Sequence, residues 1–491
     1  MLEEIKRKIL IRPQTVRGTI FKNFLWLFVG STGGRLLKAV IVIYAARQLG
    51  VAGYGIFSYA LGLAGFFTFL KNIGVDGILT REIAKQPEKE KEYLSTSFFM
   101  EIFLLAATFL LVFFIAPFFS GVKEAVPLLF FAALILIFDD LRDLFVAFFR
   151  GREKMELESL VVVIGNFAML AFGFFALYIR PTPRFFAAAT AAASLAGLFF
   201  SWLLLRRLIR NWQNHFKKDL IVPILKSAWP FAVSGFAGLF LFNIDIVMLG
   251  WWFGPSEVGI FSAAQRIIGL LSVFGSFLTI AIFPVLSRLA FADSQKLSLL
   301  LENSFKMIFL VSFPLIVGGV ILRHSIMDIV FGADYAAGAG VLAILIFSLP
   351  TIYALAVFSN LLFAFDKQSK TIVFSLVSSV SNLILNFILI RHYGMIGAAL
   401  ATVISFSLYT FLLWRTSRQF CSFRIFAGAL KPLAVALAMG LLVFIMQFFG
   451  WSAILSIAVG AFFYVGFLYF LKDEALREIL SFLRSGFGKL I

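Results

Sequence analysis

Fourteen apolar segments, each about as long as a membrane-crossing helix, follow one another along the chain and limit what it can fold into. An α-helix needs about 20 predominantly apolar residues to cross the hydrocarbon core of a bilayer. The predicted spans cover residues 24–46, 54–73, 95–119, 125–149, 158–179, 185–205, 226–250, 257–283, 303–323, 337–365, 371–390, 394–414, 430–449 and 452–471. Only 14% of the residues are charged, against about 25% in an ordinary soluble domain. The pattern predicts an all-α polytopic membrane protein with 14 transmembrane helices, and it excludes cytosolic enzymes, secreted disulfide-stapled proteins and disordered regulators.

Basic residues are distributed unevenly between the two sides of these spans. When residues at span ends are counted with the adjoining loop, 31 of the 43 Lys and Arg residues fall on one side and 6 on the other. Cytoplasmic loops of membrane proteins are enriched in Lys and Arg. We therefore predict that both termini are cytoplasmic and that the chain lies in the cytoplasmic (inner) membrane. The net charge of +17 is then explained by basic residues that anchor the cytoplasmic loops at the membrane, and no nucleic-acid partner is expected.

Polar segments divide the spans into larger parts. The predicted division is a cytoplasmic lead-in at 1–23, an N-terminal lobe of six helices at 24–205, a cytoplasmic linker at 206–225, a C-terminal lobe of six helices at 226–414, two extra helices at 428–471 and a cytoplasmic tail at 472–491. The tail alternates charged residues with Leu, Ile and Phe at helical spacing, which is typical of an amphipathic helix on the membrane surface.

The two lobes carry an internal repeat. Residues 50–60 (GVAGYGIFSYA) and 254–264 (GPSEVGIFSAA) share six identities in eleven positions at an offset of 204. A weaker correspondence links Asn166 in span five with Asn382 in span eleven. Each repeat has an even number of spans, so both copies enter the membrane from the same side. Parallel repeats of this kind commonly build transporters, although a duplicated scaffold without transport is an alternative.

The sequence offers little for covalent chemistry or metal binding. It has one cysteine, Cys421, and its three histidines lie far apart. It also lacks the GxxxxGK loop that holds nucleotide phosphates. We predict no catalytic residues, no metal and no cofactor. A membrane-embedded glycosyltransferase would need paired acids in a sizeable outer loop, and the outer loops predicted here are short and poor in acids.

At this point the chain resembles a known family. The motifs are LGVAGYGIFSYA after span one, FRGREKMELESL between spans four and five, and SNLILNFILIRHYGMIGAALAT across spans eleven and twelve. With fourteen spans and a six-plus-six duplication, the chain is similar to the polysaccharide (oligosaccharidyl-lipid) flippases of the multidrug/oligosaccharidyl-lipid/polysaccharide exporter superfamily. The resemblance covers nearly the whole chain. It implies movement of lipid-pyrophosphate-linked sugars from the inner to the outer leaflet, with no catalytic residues.

Basic residues inside the spans are the candidate substrate-binding groups. An ionisable residue in a span costs about 2.5–3.5 kcal/mol on insertion scales. Arg35 and Lys38 share a face of span one, and Arg266 lies near mid-depth in span eight. Arg142 in span four and Lys306 in span nine lie nearer the cytoplasm. We expect these groups to form a cationic cavity between the lobes that holds pyrophosphate, since guanidinium offers paired donors to phosphate. Burial beside acids or snorkelling to the surface is the alternative, above all for Lys306.

Acidic residues inside the spans are the candidate ion-coupling groups. Asp245 and Asn243 lie together in span seven, where a carboxylate beside a carboxamide could take a proton or Na⁺. Asp139 in span four is a second candidate, although its helical spacing to Arg142 favours a local, charge-neutralised cluster.

The sequence therefore predicts a transporter that flips an anionic, lipid-linked saccharide by alternating access. Its expected partners are that saccharide, membrane lipids and a coupling H⁺ or Na⁺, and the chain is expected to act as a monomer. The principal alternative is a cation-coupled multidrug exporter of the same superfamily. Such an exporter would need an acidic or aromatic pocket for cationic drugs, whereas span one offers Arg35 and Lys38.

Overall fold

All the regular secondary structure in the described part of the chain is helical. This computed structural model describes residues 16–70, 74–473 and 475–477, and in these ranges it contains no β-strand. The all-α prediction is confirmed. The tail predicted at 472–491 and the lead-in predicted at 1–23 fall mostly outside the described residues.

The helices form two compact units, Met1–Leu239 and Phe240–Ile491. In chain order, the first unit contains α1 (Val16–Phe66), α2 (Val75–Lys85), α3 (Glu90–Leu110), α4 (Val126–Gly151), α5 (Met155–Ile179), α6 (Pro183–Leu208) and the first part of α7 (Ile221–Trp252). The second unit contains the rest of α7, then α8 (Pro255–Leu271), α9 (Val273–Leu289), α10 (Ser294–Ile321), α11 (Arg323–Phe331), α12 (Gly338–Leu345), α13 (Ser348–Ala364), α14 (Gln368–Ser417), α15 (Leu430–Phe448) and α16 (Ala453–Phe470).

Many of these helices are suited to crossing a membrane. Within the described ranges, ten helical segments are long and apolar enough, and there are eleven if the bent pair Gly235–Leu241 and Asn243–Trp252 is one span. The number is below fourteen partly because α1 and α14 each cover two predicted spans. Helix α4, the fourth predicted span, is not among the ten, since it carries three aspartates and an arginine between residues 139 and 143. The count of fourteen stays a prediction.

The two longest helices are each broken at a glycine. Helices α1 and α14 contain 51 and 50 residues, so each would be about 75 Å long if straight, more than twice the roughly 30 Å of bilayer hydrocarbon. Gly50 interrupts α1 at φ 67°, ψ 177°, and Gly394 interrupts α14 at φ 54°, ψ −135°. Glycine adopts positive φ without a Cβ clash, so each long helix is broken at its glycine into two parts, which we call its first and second halves.

Gly254 stands between α7 and α8 in a conformation close to that of Gly50. Its φ is 87° and its ψ is −171°. Pro255 then begins α8, a position that suits proline because the first helical residue has no intrahelical N–H bond to lose.

Small residues bring α1 and α5 together in the first unit. A Cβ added to Gly30 would lie 2.2 Å from Ser159 Oγ, and one added to Gly34 would lie 2.8 Å from Asn166 Nδ2. Gly173 of α5 is similarly close to Ile41. A small-residue spacing of this kind lets membrane helices approach closely. The glycine face of α1 is therefore buried against α5.

The segment predicted as a polar linker is packed into the first unit. Trp212 is only 2% exposed, and its ring lies 4.9 Å from that of Phe98 in an edge-on arrangement. The hydroxyl of Ser95 donates to the carbonyl of Gln213 at 3.0 Å, and the Lys217 amide donates to Thr96 Oγ1 at 3.1 Å. The start of α3 thus holds this segment in place through a buried ring and two backbone hydrogen bonds.

The two C-terminal helices pack on α10 within the second unit. Tyr464 of α16 donates its hydroxyl to the carbonyl of Leu310 at 2.9 Å. A Cβ on Gly440 of α15 would lie 2.4 Å from Val317 Cγ1. Met439, Val443 and other apolar side chains of α15 and α16 complete this core.

Candidate functional site

Asp245 lies at the centre of a buried polar cluster in the second unit. Its side chain is fully buried, as are those of Asn382 and Asn386. Thr402 donates its hydroxyl to Asp245 Oδ2 at 2.7 Å, and Asn386 Nδ2 donates to Asp245 Oδ1. The same Nδ2 is 3.0 Å from Asn382 Oδ1. This arrangement gives an isolated carboxylate in an apolar helix the polar partners that it needs when it is removed from water.

The break in α14 brings these partners to one place. Asn382 and Asn386 are one turn apart on the first half of α14, so they share a face, and Thr402 is on the second half. A Cβ on Gly397 would lie 2.1 Å from the carbonyl oxygen of Leu389. The two halves therefore approach each other so closely beside the break that only glycine fits at position 397.

The cluster is rich in oxygen ligands. The carboxylate of Asp245, the side-chain amides of Asn382 and Asn386, and the hydroxyl of Thr402 converge from three helical segments. Among the described residues, Asn386 Oδ1 has no hydrogen-bond partner although it is buried. Hard oxygen ligands of this type suit a small, hard cation, and a carboxylate with hydroxyl and amide neighbours can also hold a proton.

Part of this site is predictable from the sequence. The sequence indicates Asp245 and gives Asn382 as a repeat partner of Asn166, but it pairs Asp245 with Asn243. Asn243 is half-buried and is not one of the donors to the carboxylate. Residues two apart on a helix point in different directions, which explains the difference. Asn386 and Thr402 were missed, although two asparagines at i and i+4 inside an apolar span are a usable signal.

Arg35 is exposed on α1, on the side away from the glycine face that packs on α5. Lys38, three residues later, is also exposed. Within residues 16–70, 74–473 and 475–477, no side-chain hydrogen bond or ion pair involves Arg35. The first unit thus presents two cations near the middle of its longest helix.

Arg266 is exposed on α8 in the second unit. The middle of α8, from Val258 to Ala264, is buried, and Ile260 packs against Gly338 of α12. Arg266 comes after this contact, and an added Cβ on its neighbour Gly269 would meet no atom within 4 Å. In the described part of the chain, Arg266 has no ion-pair partner.

Arg142 is held by acids, in contrast to Arg35 and Arg266. Its Nη1 is 2.8 Å from Asp139 Oδ1 and its Nη2 is 2.9 Å from Asp143 Oδ1. Its stem lies against Gly197, 3.5 Å from the position of an added Cβ. This is the local, charge-neutralised cluster that the helical spacing of Asp139 and Arg142 favours, and it leaves fewer donors for a substrate.

Lys306 lies beside an apolar cavity in the second unit. The cavity has a volume of about 720 Å³ and is lined by α10, α13, the second half of α14 and α15, with Phe305, Phe309, Phe313, Phe358, Phe411 and Phe426 among its wall residues. The stem of Lys306 passes 3.0 Å from the position of an added Cβ on Gly428. A half-buried cation therefore follows directly after the wall residue Phe305.

Comparisons with known proteins agree on one family. The family described as polysaccharide biosynthesis protein matches residues 20–290, and the family MatE matches residues 230–388. A probable low-salt glycan biosynthesis flippase, Agl15 of Haloferax volcanii, is 24% identical over 398 residues, which are 79% of this chain and 81% of that protein. A putative O-antigen transporter of Shigella flexneri is 24% identical over 431 residues, 82% of this chain and 99% of its own length.

Solved structures show the same fold. The lipid II flippase MurJ in an inward closed conformation superposes with a TM-score of 0.75 at 19% identity, covering 92% of this chain and 99% of that protein. An inward-facing multidrug resistance transporter of the MATE family gives 0.60 at 16% identity, covering 82% and 95%. The family match spans more than half of the sequence and confirms the predicted resemblance. The chain therefore belongs to the polysaccharide biosynthesis protein family, within the superfamily that also contains the MATE transporters.

Proposed function

We propose that this protein flips an anionic, lipid-pyrophosphate-linked oligosaccharide from the cytoplasmic to the outer leaflet by alternating access, without making or breaking covalent bonds. The observation that carries the proposal is the pair of exposed arginines, Arg35 and Arg266, on apolar helices of the two units. No acid among the described residues is paired to either of them. The relatives named as flippases and O-antigen transporter support the same substrate class.

The arginines and lysines bind the headgroup in this proposal. Arg35, with Lys38 beside it, and Arg266 offer guanidinium donors that match phosphate oxygens two at a time. Their charges offset the loss of hydration when the pyrophosphate leaves water. Arg142 is committed to Asp139 and Asp143, so we assign it a smaller share of substrate binding than the sequence analysis did.

The apolar cavity of the second unit suits the hydrocarbon part of the same substrate. Its walls are phenylalanine and aliphatic side chains, and its volume is about 720 Å³. An isoprenoid or acyl chain placed there would stay out of water, with a stabilisation of about 0.8 kcal/mol for each buried methylene. Lys306 would then meet a phosphate at the end of that chain.

We further propose that Asp245 couples flipping to a cation gradient. The carboxylate, Asn382, Asn386 and Thr402 form one buried set of oxygen ligands. Binding of H⁺ or Na⁺ neutralises a charge that is costly inside the membrane. At the offset of 204, the first-unit counterpart of Asp245 is Ile41, which is buried against Gly173. Asp139 is ion-paired with Arg142, so we place coupling at Asp245 in the second unit.

For the larger architecture we propose the arrangement that the sequence predicts. We propose fourteen membrane spans, two parallel six-helix repeats, cytoplasmic termini in the inner membrane and a monomeric transporter. The similar backbone conformations of Gly50 and Gly254, at the start of the two repeated motifs, support the duplication.

A cation-coupled multidrug exporter is the second candidate, because the MatE family matches residues 230–388. The two functions differ in the charge of the cargo. Purified protein in vesicles should flip a fluorescent lipid-pyrophosphate-linked saccharide and leave a cationic dye gradient unchanged. Equal flipping of an analogue without phosphate would contradict an anionic substrate, and dye export would favour the exporter.

A further inference from the structure

A file of polar side chains, all buried except the half-buried Thr371, runs along the contact between the two halves of α14. It consists of Thr371, Ser375, Ser378, Ser379, Asn382 and Asn386 on the first half and Thr402, Ser405 and Tyr409 on the second half, and we call it the polar seam. The first six share one helical face because they recur every three or four residues. The opposite face is apolar and exposed, with Val373 and Val380 both 54% exposed.

The seam links the halves through hydrogen bonds at several levels. Ser378 donates to the carbonyl of Ser405 at 2.6 Å. Nearer the start of α14, Tyr409 donates its hydroxyl to the carbonyl of Thr371 at 3.2 Å. The Asp245 cluster closes the other end through Asn386. Polar groups thus continue from Asp245 to the first turn of α14.

That first turn is at a basic end of the helix. Lys367 precedes this turn and Lys370 lies in it, while Arg415 and Arg418 lie at the end of the second half. The two ends meet where Lys370 Nζ is 3.5 Å from Gln419 Oε1. Asn386 is about 22 Å from Thr371 along the helix but only about 12 Å from the break at Gly394. The shorter stretch contains Phe387, Ile388, Leu389 and Ile390 and offers no polar side chain before Arg391. The buried polar residues therefore extend furthest toward the basic end, whereas on the other side four apolar residues separate Asn386 from the exposed Arg391, His392 and Tyr393.

Helix packing explains some of these residues but not all. Ser375 and Ser379 donate to carbonyls of the preceding turn, Ile372 and Ser375, at 2.8 and 2.7 Å, as hydroxyls commonly do in membrane helices. Asn382 Nδ2 and Ser405 Oγ are buried and have no partner among the described residues. Buried groups of this kind ordinarily bind ordered water or an ion.

We propose that the polar seam is the access path by which the coupling cation reaches Asp245 from the basic end of α14. The inference rests on the proposed coupling role of Asp245 and adds the route and its direction. Water held between the two halves replaces the hydration of a proton or Na⁺ as it moves. The apolar stretch on the other side of Asn386 closes the site toward Gly394.

Silver ions provide a probe of this path, because Ag⁺ is small, hydrophilic and reacts with thiols. Cys421 is first replaced by serine so that single cysteines can be introduced. Ser405→Cys and Ser378→Cys report on the seam. Ala401→Cys is a matched control, since Ala401 is fully buried and lies one turn from Ser405 toward Gly394. Protein in nanodiscs is treated with Ag⁺, and the remaining thiol is quantified by alkylation after unfolding.

We expect the seam cysteines to react at least about tenfold faster than the Ala401→Cys control, since thiol reaction rates depend on access. Equal, slow reaction at all three positions would overturn the path. Ser405→Val, with Ile404→Val on the exposed face as its control, should also slow flipping driven by a cation gradient. Unchanged gradient-driven flipping in Ser405→Val would overturn the path as the coupling route. If the seam cysteines react quickly but flipping does not depend on any cation gradient, the access path is supported and the coupling role of Asp245 is refuted.

Discussion

At the scale of single residues, exposure and ion pairing distinguish basic residues inside the spans that are available to a substrate from those that are neutralised by acids. Arg35 and Arg266 are exposed and have no ion-pair partner among the described residues, whereas Arg142 is paired with two aspartates. Periodicity and depth predicted where these residues lie in their spans. They could not predict pairing across helices, and for the same reason Asn386 and Thr402 were missed as partners of Asp245.

Asp245→Asn tests the coupling role. The substitution keeps the shape and hydrogen-bonding capacity of the side chain but removes the charge, so we expect normal expression and loss of the dependence of flipping on an H⁺ or Na⁺ gradient. The assay is flipping in vesicles with and without an imposed gradient. Asp328→Asn, at an exposed aspartate, serves as control, and a gradient response that survives in Asp245→Asn would refute the role.

At the scale of helices, glycine conformation and close packing determine the architecture. The sequence predicted nearly every helix because the apolar segments are long and separated by polar residues. It did not predict that Val75–Lys85 forms a helix or that Trp212 is buried. Both features lie in polar, charged segments, where tertiary contacts rather than hydropathy decide the structure.

Gly50 and Gly254 should tolerate substitution poorly, although an added Cβ would meet no neighbour within 4 Å at either position. Their positive φ with ψ near 180° is a conformation essentially restricted to glycine and disfavours any L-residue by about 1–3 kcal/mol, so Gly50→Ala and Gly254→Ala should lower the midpoint of thermal unfolding in detergent. Gly33 is helical and also has no atom within 4 Å of an added Cβ. Gly33→Ala should raise the midpoint, because alanine is favoured over glycine in helices by about 1 kcal/mol. A higher midpoint in Gly50→Ala or Gly254→Ala than in Gly33→Ala would contradict the role of positive φ at these glycines.

Trp212 should contribute strongly to the stability of the first unit. Trp212→Ala removes a ring that packs on Phe98 and Phe145, and a large-to-small change of this kind typically costs about 3–5 kcal/mol. Trp229 is 62% exposed, so Trp229→Ala should change the free energy of unfolding by only about 0.5 kcal/mol. Similar losses in the two variants, measured by thermal or denaturant unfolding, would show that residues 206–225 act as a loose linker.

At the scale of the whole molecule, charge distribution carries the prediction of orientation. Cysteine in place of the exposed Asn214 should be labelled by an impermeant maleimide from the cytoplasmic side, and cysteine in place of Ser256, beside Gly254, from the outside only. Cys421→Ser provides the background. Labelling of position 214 from outside intact cells would contradict the orientation and, with it, the fourteen-span arrangement.

The central claim is that fixed guanidiniums in both units bind a pyrophosphate headgroup during flipping. The most direct measurement is the rate at which a lipid-pyrophosphate-linked saccharide appears in the outer leaflet of vesicles that contain Arg35→Ala or Arg266→Ala. Losing a charge-assisted contact in a site removed from water costs about 2–5 kcal/mol, so we predict a decrease of at least about thirtyfold for each, since 1.4 kcal/mol is a factor of ten. The Lys variants should be intermediate because lysine lacks the paired donors, and Arg180→Ala, at an exposed helix end, should flip normally. Wild-type rates in both Ala variants would contradict the claim.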